Sequence, residues 1–366
     1  MAEETVQQVR ARIREIDERI LELVCSRVRE AEKIGWIKRS RHVPVRDFTV
    51  EAEVIRRAEE YCNRNGVDSH IGHEIAKTLI AASLSVQTSI SLPLYEGSAK
   101  KILIIGGNGK MGRWYAHYFN TQGHEVLIND IVVRDTPYRN VQRLEDALEY
   151  ADVILLSTPI SATPSLLERI TALEPRGLIV DGCSLKSPLL DAIRQGVRRG
   201  LKIASIHPLF GPDTRMLADR NLVICDCGNS AAVEEARSLF SDTSLSITVT
   251  QLEKHDEFMV YVLNMAHALN IIFFHILSNS GIKPGRLKHF ASTTFTRQMA
   301  TSMEVASENP LLYYEIQHLN SHRETVFASL EEAVQEVKRA SESEDTALFE
   351  RIMHSGREYF RGWENG

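Results

Sequence analysis

The sequence predicts a chain of three parts: an all-α segment of three helices, an α/β segment on a parallel sheet, and a second all-α segment. Three observations carry this. Residues 1–92 hold helical periodicity and no strand pattern. Residues 100–247 alternate short β-rich runs with helical stretches. Residues 248–366 turn helical and stay so.

In the front segment Val6, Val9, Ile13, Ile16, Ile20 and Leu23 step by three and four, an apolar stripe on one long helix from about Thr5 to Lys38. Pro44 breaks it, because proline cannot continue a helix. A second helix is expected over Thr49 to Asn63 with Gly66 as its stop, and a third over Ser69 to Ile90. "SLPLYEGSAK", residues 91–100, carries Pro, Gly and Ser without periodicity and reads as a linker over 93–99. Beyond it "KILII", "HEVLIND", "ADVILLST", "GLIVDG" and "LKIASIH" are strands separated by helices, the βαβ signature of a Rossmann-like parallel sheet with helices on both faces. "KHDEFMVYVLNMAHALNIIFFHILSNSG" is nearly apolar all round, as a buried helix is, and fits a dimer core.

The totals narrow the function. A length of 366 residues leaves room for two or three domains, and 43% hydrophobic with 25% charged residues reads as soluble and globular. A net charge of −6 argues against nucleic acid as the main partner. No apolar run is read as reaching the roughly 20 residues that span a bilayer, and the acidic N-terminus does not read as a secretory signal. The five cysteines lack a zinc pattern, since Cys225 and Cys227 have no second ligand pair nearby. Free thiols in a reducing cytosol, and no metal, are expected.

Gly107, Gly109 and Gly112 form G-x-G-x-x-G between a strand and a helix, in the turn "GGNGKMG" that includes Asn108, Lys110 and Met111. Such a turn needs positive φ, close backbone approach to a pyrophosphate, and a helix N-terminus offering positive potential. The next strand ends in Asp130, placed to accept from ribose hydroxyls and to repel a 2′-phosphate, so NAD is expected over NADP; Arg134 nearby leaves NADP open. In open parallel sheets ligands lie beyond the carboxyl ends of the strands. "STPI" with Ser157, Thr158 and Pro159, "DGCSLK" with Ser184 and Lys186, and "HPLFGPD" with His207 fall there. His207 directly after a strand is placed to bind a substrate hydroxyl and take its proton as hydride leaves the same carbon. Ser184 and Lys186 would orient His207 or the substrate, or serve as ordinary loop polar residues.

"GGNGKMG", "STPI", "SLK", "HPLFGPD" and "KHD" resemble the prephenate dehydrogenase family as found fused to chorismate mutase, over roughly residues 99–366. The resemblance implies that His207 hydrogen-bonds the ring hydroxyl of prephenate and that Ser184 contacts His207 or the cofactor. It also implies that His255, with Asp256 beside it, and His267 line the pocket. From the residues alone both histidines read equally well as structural. The family carries an Arg six residues before the Pro of a D-P-x-x-Y segment, for the prephenate carboxylate. Here the segment is "NPLLYYEI" and the position is Glu304. Arg297, two turns earlier on nearly the same face, is the expected substitute cation.

The charges of the first helix have a pattern of their own. Lys38 follows Arg27 by eleven residues, three turns plus about 20°, so both face one way. Arg27 is four after Leu23, on the apolar stripe itself, and a buried cation needs an anionic partner. Arg10 lies on another face, about 25 Å away along the axis, and would serve a partner subunit's site. Asp47 and Glu51 are one turn apart, as are Ser83 and Gln87; each also has a plain reading, as a helix cap or surface polar group. Together these positions resemble the all-helical chorismate mutase family over about residues 5–92. The match implies that Arg10 and Arg27 bind two carboxylates, Lys38 and Gln87 contact an ether oxygen, Asp47 and Glu51 hold a hydroxyl, and Ser83 assists at a carboxylate. A family Arg just before Glu51 is Val50 here, which implies a slower mutase. A pericyclic rearrangement needs a compact conformer and positive charge near the breaking bond, and no nucleophile.

The implied activity is chorismate to prephenate, then NAD-dependent oxidative decarboxylation to 4-hydroxyphenylpyruvate, by a cytoplasmic homodimer. The alternatives are an arogenate or other dehydrogenase whose front helices only dimerise, and an NAD-dependent regulator. No room is read for a separate C-terminal regulatory domain.

Overall fold

The computed structural model describes residues 5–40, 48–89, 99–214, 217, 220–240, 243, 245–344 and 346–364. It begins with three helices, α1 (Val6–Ser40), α2 (Phe48–Arg64) and α3 (Ser69–Ser89), close to the expected bounds. α3 packs on both others. Small residues let α1 approach it: Ala31 and Gly35 are buried, opposite the buried Ala76, Ile80, Ser83 and Gln87 of α3. α1 has 35 residues, about 52 Å at the helical rise. The stripe on its first half is open in the single chain: Ile13, Ile16, Ile20 and Leu23 are each at least half exposed.

The α/β segment runs β1 (Lys101–Ile105), α4 (Lys110–Thr121), β2 (Glu125–Asn129), β3 (Arg139–Asn140), α5 (Leu144–Leu148), β4 (Val153–Leu156), α6 (Thr163–Ala172), β5 (Leu178–Asp181), α7 (Leu190–Arg198), β6 (Ile203–Pro208), β7 (Asn221–Asp226), α8 (Ser230–Ser238) and β8 (Ser246–Gln251). The eight strands lie in the order β3-β2-β1-β4-β5-β6-β7-β8. β1 sits between β2 and β4, so the order reverses there, and a crevice opens at the carboxyl ends of β1 and β4. The central strands read Val/Ile/Leu throughout because both faces are covered, and their residues are 0–5% exposed from Ile102 to Ile105 and from Val153 to Leu156.

Three features depart from the sequence reading. β7 runs antiparallel to β6, so the sheet is mixed. β8 extends to Gln251, which moves the return to helix past Thr248. His207 lies inside β6, paired with Val223, rather than after the strand's end.

The rest is helical: α9 (His255–Met259), a π-helix (Val260–Met265), α10 (Ala266–Asn279), α11 (Pro284–Lys288), α12 (Thr293–Ser307), α13 (Pro310–Leu319), α14 (Arg323–Glu342) and α15 (Ala347–Glu364). Local sequence sets the starts. Ser292 Oγ accepts from Phe295 N (3.2 Å) to cap α12. Asn309 Oδ1 accepts from Leu311 N (3.0 Å) before Pro310 at the first position of α13. The apolar stretch Leu252–Asn279 is not a buried helix of this chain. Phe258, Tyr261, Val262, Leu269, Ile272 and Ile276 are 41–62% exposed. Its 28 residues and mean hydropathy of 1.6 do reach membrane-spanning length and composition, against the sequence reading. An apolar face left open by its own chain requires a cover.

The chain divides into two compact units, residues 1–184 with 191–252, and residues 185–190 with 253–366.

Candidate active sites

The glycine turn comes directly after β1. Gly106 has φ +80° and carries the left-handed conformation, one residue before the first glycine of the motif. Gly112 opens α4 against it: a Cβ there would lie 2.2 Å from Gly106 O, so only glycine lets the helix start this close to the strand. Gly107 and Asn108 are buried, Met111 half-buried, and Gly109 and Lys110 exposed at the N-terminus of α4. Asp130 closes the cradle. Its Oδ2 accepts from Asn108 N (2.8 Å) and its Oδ1 from Val132 N (2.8 Å). Asn108 Nδ2 in turn donates to Val132 O (2.6 Å). The carboxylate is thus oriented by the turn it serves, and each oxygen keeps a lone pair for a ribose hydroxyl. Ser157 N donates to Ile105 O (2.8 Å), setting Ser157, Thr158 and the exposed Pro159 beside the turn. Thr158 Oγ1 and Thr163 Oγ1 share a hydrogen bond of 2.8 Å. This cradle fits a dinucleotide: a Cβ-free approach, helix N–H groups and an acidic residue at the next strand end.

His207 is 4% exposed on β6. One residue that the sequence reading missed, Trp114, fixes the loop after it. Trp114 Nε1 donates to Thr214 O (2.8 Å), and its ring meets Phe210 edge-on at 5.0 Å. The helix that starts at the glycine turn therefore also holds "HPLFGPD" in place. The only cue was an aromatic pair at the helix start, and aromatics on a helix face are usually plain core.

Ser184 is half-buried in the loop after β5, and Lys186 close by is fully buried. Asp256 fixes the end of this loop. Its carboxylate accepts from Lys186 N (2.9 and 3.1 Å), Ser187 N (2.7 Å), Ser187 Oγ and His255 Nδ1 (2.7 Å). Burial alone would raise this carboxyl; hydrogen bonds from His255 and Ser187, the His255 charge and the Lys186 amide outweigh it and hold the pKa at about 2. The bond at Nδ1 turns Nε2 of His255 away from Asp256. Further along, His267 stacks on Tyr313 with centroids 4.3 Å apart, and burial lowers its pKa to about 4. Arg297 is exposed on α12, and so is Glu304 two turns on.

In the front helices Arg27 turns inward, as its place on the stripe requires. Its Nη1 donates to Ser83 Oγ (2.6 Å) and Leu79 O (2.7 Å), while Ser83 Oγ donates to Leu79 O (2.7 Å). Burial lowers the guanidinium pKa. Gln87, one turn after Ser83, is 7% exposed, and Lys38 and Glu51 are half-buried. Arg10 is exposed on the far half of α1, away from this cluster, and Asp47 lies outside the described residues. No group of three metal-binding side chains occurs among the described residues.

A mixed sheet with this cradle and a helical C-terminal segment defines a dinucleotide-dependent dehydrogenase, preceded by a helical unit with an inward-turned cation. Residues 9–88 match the type II chorismate mutase family, 128–249 the nucleotide-binding domain of prephenate dehydrogenase, and 251–355 its dimerization domain. A T-protein of Haemophilus influenzae is 22% identical over 358 residues, covering 98% of this chain and 93% of that protein. A chorismate mutase of Methanocaldococcus jannaschii is 31% identical over 84 residues, 23% of this chain and 85% of that protein. A prephenate dehydrogenase from A. aeolicus, solved with hydroxyphenyl propionate and NAD+, superposes with a TM-score of 0.57 at 15% identity, over 75% of this chain and 99% of that one. The chain belongs to the family of fused chorismate mutases and prephenate dehydrogenases. It is a bifunctional enzyme of tyrosine biosynthesis, and front helices that merely dimerise are not favoured.

Proposed function

We propose that residues 1–92 rearrange chorismate to prephenate and that residues 100–247 and 248–366, after the 93–99 linker, oxidise and decarboxylate it to 4-hydroxyphenylpyruvate. The observation that carries the mutase assignment is Arg27, held by Leu79 O and Ser83 Oγ with its remaining N–H groups free of those two contacts. A guanidinium so oriented pairs with a substrate carboxylate in bidentate fashion. Lys38 and Gln87 place positive charge and an amide donor at the ether oxygen, where negative charge develops. Glu51 and Asp47 hold the hydroxyl. Arg10 belongs to the site of the partner subunit, which the open stripe Ile13–Leu23 on the same half of α1 supports.

On the dehydrogenase side, NAD supplies the hydride acceptor when it is bound in the cradle of Gly107, Asn108, Gly109, Lys110, Met111 and Gly112, with Ser157, Thr158 and Pro159 along its edge. Asp130 takes the ribose hydroxyls and repels a 2′-phosphate, which favours NAD over NADP. His207 accepts a hydrogen bond from the ring hydroxyl and takes its proton as that carbon is oxidised. The ring carboxylate leaves as CO2, and aromatisation drives the step. Ser184 orients His207. Lys186 orients the substrate, His255 and His267 line the pocket, and Arg297 replaces the family cation lost at Glu304.

The working form is a homodimer in the cytoplasm, its core made by the exposed face of the π-helix and α10. The test supplies chorismate and NAD together and follows chorismate loss and NADH gain, with NADP as control. Coupled loss and gain with NAD alone is expected; chorismate loss without NADH would overturn the dehydrogenase assignment.

A further inference from the structure

Asn264 is the one wholly buried polar side chain inside the π-helix. Asparagine is a poor helix former, and burying its amide is costly unless every group is paired. Here it is paired. Nδ2 donates to Ile316 O (2.6 Å), Oδ1 accepts from Asn320 Nδ2 (2.9 Å), and its backbone carbonyl accepts from Gln317 Nε2 (3.0 Å). Asn320 is also fully buried, and its Oδ1 accepts from His322 N (2.8 Å). The π-helix is thereby welded to the last turn of α13 and to the residues that end it. An apolar residue would fill the same space without fixing which residues face each other; a network of directional bonds fixes the register.

α10, which continues directly from the π-helix, meets α13 one turn away. His267 comes three residues after Asn264 and stacks on Tyr313, which precedes Ile316 by three. A one-residue slip of either helix turns its side chains by about 100° and would carry His267 off Tyr313. π-turns are rare and frequent at functional sites, where they re-aim side chains.

We propose that Asn264 is a positioning residue of the dehydrogenase: with Asn320 and Gln317 it locks the π-helix against α13 and so aims His267 at the substrate. This rests on the reading that His267 lines the prephenate pocket. The test uses the full chain with Asn264→Ala, Gln317→Leu and His267→Asn, measuring KM and kcat for prephenate, KM for NAD and mutase turnover. Asn264→Ala is expected to raise the KM for prephenate about tenfold while leaving the KM for NAD and the mutase unchanged, as a misplaced binding group does. Gln317→Leu removes one bond at a half-buried position and is expected to shift the KM the same way by less; it carries the test if Asn264→Ala does not fold. If His267→Asn impairs prephenate turnover while neither weld variant moves the KM, the inference is overturned and the pocket reading stands. A change in active fraction alone, with KM constant, overturns it too. If His267→Asn leaves prephenate kinetics intact, the pocket reading fails and this inference with it.

Discussion

Replacing Asp256 with Asn tests the dehydrogenase half at its most connected residue. The carboxylate is 2% exposed and accepts two backbone N–H groups, a hydroxyl and the His255 ring. Its pKa falls from 3.8 to about 2. At 1.36 kcal/mol per pKa unit this is about 2.5 kcal/mol of stability. The folded value lies below the unfolded one, so this contribution is complete above pH 3.8 and is lost as the pH falls through about 2. The Asn amide has one acceptor oxygen and presents its NH2 to donors, leaving at least one buried N–H without a partner, at about 1–3 kcal/mol more. The summed loss is about 3.5–5.5 kcal/mol, comparable to the cost of breaking a buried charge pair. Thermal unfolding should show a Tm lower by roughly ten degrees for the unit that holds Asp256. The difference from wild type should shrink between pH 4 and pH 2, because the wild type then loses the same contribution. Prephenate turnover should fall with it, since the loop carrying Ser184 is tied down through Lys186 and Ser187, while mutase turnover stays. An unchanged Tm at pH 7 with unchanged prephenate turnover would refute the reasoning.

Two further perturbations separate the sites. Ser83→Ala removes one of the two acceptors that orient Arg27 and should lower mutase kcat/KM about tenfold with prephenate oxidation unaffected, in parallel assays. Gly112→Ala places a Cβ 2.2 Å from a backbone oxygen of the cradle. NAD binding, monitored by fluorescence titration, should weaken by at least about tenfold while the mutase is spared.

Legibility in the sequence tracked the range of the interactions involved. The glycine turn and Asp130 are set by residues close in sequence, and the strand–turn–helix pattern places them. Arg27 and Ser83, 56 residues apart, met because helix faces can be counted and a family pattern supplied the pairing. Asp256 was noticed only as a neighbour of His255, because the amides that it accepts from lie 69 and 70 residues earlier and backbone groups leave no mark in sequence. The antiparallel β7 was missed because a short Val/Ile run carries no sign of its direction. The greasy stretch around α10 read as core, but hydrophobicity alone does not say whether the cover comes from the same chain or another copy.

The central claim is that one chain holds two separable sites acting in sequence on one ring. The direct measurement is a crossed assay of Arg27→Ala and His207→Asn, each given chorismate or prephenate with NAD. Arg27→Ala should lose chorismate turnover by about a thousandfold and still form NADH from prephenate. His207→Asn should convert chorismate at the wild-type rate and accumulate prephenate without NADH. If Arg27→Ala abolishes NADH formation from prephenate as well, or if His207→Asn oxidises prephenate normally, the assignment of the two sites is wrong.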